Sequence, residues 1–240
     1  MQNKFLHADK YSRFFGGGKG DNPIDVYVSG YHYLFITMQP RLKAFIIADC
    51  LKTTGVAGQH VIGDPAGILN IHNISLTPPG VSLGKTTNNA TGGAKWQTPT
   101  NLEIGDEIAC KYNEYSGTPI YRIHRGWVNF IKNTNLGITE SDQPIYQEDY
   151  KATFLYATTR PDGKTIEFGA KFTGVWPTRS PTDVFASDVT NSDKVEIDMT
   201  YSIDHMYDNN KEVLQEIQTL INSARAAGVA ANNSRITVHK

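Results

Sequence analysis

Alternation of apolar and polar positions is clearest between residues 152 and 204. Ala152, Phe154 and Tyr156 alternate, Pro161-Asp162-Gly163 supplies turn chemistry, and Ile166, Phe168, Ala170 and Phe172 alternate again, which predicts a β-hairpin. Trp176-Pro177 ends it. Val195, Ile197, Met199, Tyr201 and Ile203 predict a last strand whose other face carries Glu196, Asp198, Thr200, Ser202 and Asp204. A 3.6-residue period takes over in two places. Thr118-Pro119 reads as an N-cap and first helical position, and Ile120, Ile123, Trp127, Phe130 and Ile131 follow at helical spacing over about 118–132. Asn209, with Glu212 three residues on, opens a second pattern of Val213, Leu214, Ile217, Leu220, Ile221 and Ala224 that Gly228 is expected to end, leaving 229–240 as a tail with a β-prone patch at Ile236 to Val238.

The first half is less regular. Residues 5–15 predict a short helix closed by Gly16 to Gly18, and Ile24 to Thr37 a strand. Ala44 to Ala48 is a short apolar run. Glycines and Pro65 then break the chain before Ile68 to Leu76 resumes strand character, and Leu102 to Tyr112 reads as another strand. Between them, Pro78 to Pro99 is Gly, Pro, Thr and Asn with few apolar anchors, which predicts a long loop or extended hairpin of the kind that serves as an interaction arm. The whole predicts a mainly β domain with one packed helix over 1–208 and a C-terminal helix and tail over 209–240.

Charge narrows the function classes. With 240 residues, 23 Lys+Arg, 24 Asp+Glu and a net charge of −1, no basic excess is available for counterion-driven nucleic-acid binding. Near-neutrality also removes the self-repulsion that keeps copies apart. Cys50 and Cys110 are too few for a disulfide framework and read as reduced thiols, and no apolar segment suggests a leader peptide or a membrane anchor.

Catalytic patterns fail on context. Gly80-Val81-Ser82-Leu83-Gly84 has nucleophile-elbow spacing, but Pro78-Pro79 stands where a strand should precede it. Gly16-Gly17-Gly18-Lys19-Gly20 lacks two positions of a phosphate loop. The seven histidines never take metal-ligand spacing, and Ser202, Asp204 and His205 hold relay residue types, but strand neighbours such as Asp204 and His205 point to opposite faces and form no relay on their own. Glu196, Asp198 and Asp204 read as a solvated stripe rather than a metal site. Tyr121, Arg122, His124, Arg125 and Trp127 interleave basic and aromatic residues, but at helical spacing Trp127 belongs to a buried face. No catalytic residue, cofactor site or metal site is expected.

The hairpin of 152–173, the corner Gly174-Val175-Trp176-Pro177-Thr178 and the strand from Lys194 to Asp204 resemble the C-terminal half of the tail tube proteins of contractile-tailed bacteriophages. Upstream, Thr118 to Asn133 is similar to that family's single helix and Leu76-Thr77-Pro78-Pro79-Gly80-Val81 to its early strand-to-loop turn. Residues about 40–72 stand as an insertion and 209–240 as an extension. The resemblance implies a β-sandwich or barrel-like subunit forming hexameric rings that stack into a hollow tube and conduct DNA into the host. It implies as partners further copies of the chain, tail sheath, baseplate, tail-terminator and tape-measure proteins, with DNA in the lumen, in a virion tail assembled in the host cytoplasm. A baseplate tube initiator, or a tube subunit of a related contractile injection or secretion machine, matches the same parts. Under this resemblance Glu167, Glu196 and Asp198 are candidates for the lumen wall, with Lys171 sharing Glu167's face by parity. Gly80, Lys85, Asn88, Lys95 and Trp96 are candidates for the inter-ring arm.

Overall fold

The computed structural model describes residues 31–52, 62–89, 95–135, 146–160, 165–182 and 195–237. The helix expected at 5–15, the first part of the strand expected from Ile24, and the turn at 161–164 lie outside the described residues.

The alternating segments form antiparallel strands. β6 (Ala152–Thr159) and β7 (Ile166–Pro177) make the expected hairpin, in register Phe154 to Phe172 and Tyr156 to Ala170. β1 (His32–Met38) adds to the free side of β6. β8 (Glu196–Ser202) pairs along its length with β5 (Glu107–Asn113), which in turn pairs β2 (Asn73–Thr77). The sheet thus runs β1-β6-β7-β8-β5-β2, with the short β9 (His205–Asp208) on β7. This is a mainly β fold with helices, as the alternation predicts.

The barrel expected from the resemblance is not closed, because β1 and β2 are not hydrogen-bonded neighbours. A helix crosses the gap. α2 (Pro65–His72) packs against β1, its Asn70 Oδ1 accepts the Ile36 N–H at 2.9 Å, and it runs straight into β2. Asn70 thereby satisfies a main-chain donor that an edge strand would otherwise leave to water.

Inside the curl, Ile36, Phe154, Phe172, Ile108, Ile197 and Tyr201 meet apolar faces of three helices: α1 (Pro40–Lys52), α2 and α3 (Pro119–Asn135). α3 is the helix expected from Ile120, Ile123, Trp127 and Phe130, all of which are buried. Its first turn is capped by a residue outside the pattern: the Glu114 carboxylate accepts the N–H groups of Ile120 and Tyr121. At its centre Trp127 is fully buried and donates its indole N–H to the Tyr150 carbonyl at 2.7 Å.

Four expectations are corrected. The insertion at 40–72 holds two helices where one packed helix was expected in the whole β-domain: Leu42, Ile46 and Cys50 recur every four residues on α1. The strand expected from Ile68 begins at Asn73, since Pro65 at the first helical turn lets Leu69 bury on a helical face. The strand expected over 102–112 is two, bent at Gly105-Asp106 between β4 (Lys95–Ile104) and β5. The C-terminal helix α4 (Lys211–Thr237) does not end at Gly228, so a helix occupies most of the expected tail and part of the β-prone patch. Its start is also shifted by one residue: Asn210 Oδ1 accepts the Glu212 N–H, whereas Asn209, at φ 42°, accepts the Gly169 N–H.

α4 lies on the outside of the hairpin. Val213, Ile217 and Ile221 form a second small core with Leu155 and Ala157. Gly169 makes this close approach possible, because a Cβ there would stand 2.7 Å from Leu214 Cδ2 and 3.1 Å from Ile217 Cδ1. β6 is consequently buried on both faces.

Candidate assembly surfaces

Three surfaces are built by this arrangement. The first is the outward face of β2, β5 and β8, which no helix covers among the described residues. Period-2 alternation sends Leu76, Ile108, Cys110, Tyr112, Ile197, Met199 and Tyr201 into the core, so their neighbours Ser75, Thr77, Glu107, Ala109, Lys111, Glu196, Asp198 and Thr200 share the other side. Register places Lys111 opposite Asp198 on one side and Ser75 on the other. Lys111 Nζ stands 2.7 Å from a Glu196 carboxylate oxygen, and Glu196, then Asp198, hold its pKa above the usual lysine value. The Arg179 guanidinium reaches the Asp198 carbonyl at 2.8 Å. The surface is a mixed, slightly acidic lattice of short polar side chains.

Of the candidate lumen residues, Glu196 and Asp198 are on this face together. Glu167 is elsewhere: it sits at the far end of β7, in the irregularity between Ile166 and Phe168, and bonds Arg160. Among the described residues β8 meets β7 only at Trp176 and Pro177. Lys171 pairs with Glu216 of α4 at 2.8 Å, so its side of the hairpin is the helix-covered one. Asp204 leaves the expected stripe, since it lies past the end of β8 and binds Lys151 at 2.7 Å.

The second surface is an arm. Pro78 to Pro99, read as a long loop or extended hairpin, is the latter: β3 (Val81–Asn89) pairs β4, and among the described residues neither has another strand neighbour. The arm continues the β2–β5 ladder past a bend where Gly105 N–H bonds the Gly80 carbonyl at 3.1 Å. Gly80, Lys85 and Lys95 are exposed, and Asn88 donates to Thr98 Oγ1 at 2.8 Å. Trp96 stands opposite Asn88 in the register. At the base, Val81, Leu83 and Leu102 are exposed by 54%, 64% and 61%. Leu83 and Leu102 face each other, and Val81 lies two residues along on the same side.

The third feature is the corner Gly174 to Thr178, where β7 changes partner from β9 to β8. Gly174 has φ +69°, and a Cβ there would fall on the Asp204 carboxylate. Val175 and Pro177 drop into the core, Trp176 is half-buried opposite Ser202, and Thr178 bonds the Thr200 carbonyl through both its N–H (3.1 Å) and its hydroxyl (2.9 Å).

The basic-aromatic segment at 121–127 is internal. Arg122 is buried and bonds the Cys50 carbonyl, while Arg125 pairs with Asp49 at 3.5 Å and lies over the Tyr121 ring. His124 is fully buried. Its Nδ1 is 2.7 Å from the Ile120 carbonyl, which can only accept, so Nδ1 carries the proton and Nε2 accepts from Tyr201; the Tyr201 oxygen is 2.9 Å from Tyr112 Oη. Burial lowers the His124 pKa to about 4 and raises those of both tyrosines. Cys110 beside Tyr112 is pushed up to about 12 and Cys50 to about 11, both by burial, and both are free thiols. The sequence pattern does not reveal this network, because its members lie far apart in the chain and each reads as an ordinary core or surface residue. Among the described residues, no group of three His, Cys, Asp or Glu side chains converges to hold a metal, and no helix is long and apolar enough to cross a membrane.

No protein-family model and no curated protein matches the chain. Among solved structures it is similar to the anti-feeding prophage cap (AFP tube terminating cap), at 11% identity and TM-score 0.43 over 80% of this chain and 97% of that one. It is also similar to the sheath/tube terminator of an extracellular contractile injection system, PVC, in the extended state, at 14% identity and TM-score 0.41 over 80% and 99%. A chain of the PVC sheath-tube complex shares 16% identity at TM-score 0.36 over 56% of this chain and 78% of its own. At these values the likeness is loose and fixes neither family nor role.

Proposed function

We propose that this chain is a structural, non-enzymatic subunit of a contractile-tail tube, a ring-forming protein whose rings stack around a channel that conducts DNA. The observation that carries the reading is the β3–β4 arm. Two strands with no further strand neighbour among the described residues and an apolar base form a template that another chain can cover, and a second copy of a near-neutral chain can supply that cover. The strand order around the Gly174 corner, which carries the resemblance to phage tail tubes, supports the same reading. So does the bare face of β2, β5 and β8, where Glu107, Glu196 and Asp198 outnumber Lys111, which Glu196 holds, so that the cationic grip on a passing polyanion is weak. Six-fold rings, and sheath, baseplate, terminator and tape-measure partners, belong to this proposal, as does a place in a virion tail.

Negative-stain microscopy of the purified protein tests it. Long hollow tubes are expected from a main tube subunit and isolated rings from an initiator at the baseplate. A compact monomer persisting at high concentration overturns the assembly reading.

A further inference from the structure

We draw no further inference here: the strongest candidate, the part of α4 beyond Ile221, where the side chains of Asn222, Ser223, Ala224 and Ala226 are all exposed, is an unpartnered helical segment, and nothing in the structure shows what covers it.

Discussion

His124 is the residue whose protonation the core depends on most directly. The unfolded chain binds its proton as the pH falls through 6.5, while the folded chain does not do so until about pH 4. The unfolded state thus holds more protons across that window, and stability falls as the pH falls from 6.5 to 4, by about 1.4 kcal/mol per unit and roughly 3 kcal/mol in all. Denaturation midpoints for the native protein and a His124→Gln variant should converge from pH 7 to 4, because only the native chain carries this dependence. The neutral ring leaves Nε2 to accept the Tyr201 hydroxyl; a second ring proton would set two donors against each other and reverse the chain of hydroxyls through Tyr112. Gly174 is the other sensitive position. Gly174→Ala forces a side chain to adopt φ +69° and pushes the Asp204 carboxylate from Lys151. A loss of about 1–3 kcal/mol is expected by thermal unfolding.

Among the elements, α4 is the one whose docking hangs on a single position of the sheet. Gly169→Leu places a side chain where Leu214 and Ile217 now sit, and it should lift the helix while leaving the inner core intact. Hydrogen exchange should then show lost protection over 213–221 with β8 and α3 unchanged. How far the elements could be read from the chain follows from how each is stabilised. β6, β7, β8 and α3 are half-buried elements, so their faces are written as alternation or as a 3.6-residue period. α1 escaped because the unbroken apolar run Ala44 to Ala48 hides the recurrence of Leu42, Ile46 and Cys50, and α2 because Ile68 to His72 is too short to show a period that separates helix from strand. The arm gave no pattern because no described part of the chain covers it, so no face had to be apolar beyond its base. Counting in twos puts Glu196 and Asp198 on one face, whereas Glu167 lies apart from them because β7 meets β8 at Trp176 and Pro177, at the other end of the strand, and an irregularity beside Glu167 breaks its parity with Lys171.

At the scale of the whole molecule, a net charge of −1 has to serve surfaces with opposite demands. On the tube reading proposed above, a subunit that stacks on its own copies needs contacts that do not repel, and the exposed base of the arm offers the apolar Val81, Leu83 and Leu102. A channel wall needs to let phosphate slide. On the face of β2, β5 and β8, Lys111 is held by Glu196, while Arg179 reaches over from the segment after β7 to the Asp198 carbonyl. If this face lines the proposed channel, reversing the balance should make the channel sticky. In Glu196→Lys/Asp198→Lys, two carboxylates become two ammonium groups in every copy, and Lys111 loses its partner, so each ring presents a repeated cationic band. Duplex DNA carries one charge per ~1.7 Å, and each phosphate neutralised steepens the salt dependence of binding. Assembled particles of the variant should retain short duplex DNA at low salt and release it steeply as salt rises, while native particles should retain none. Equal retention by both would place these carboxylates away from the channel, and the face of β2, β5 and β8 would then be one that meets protein, leaving the lumen to another part of the sheet.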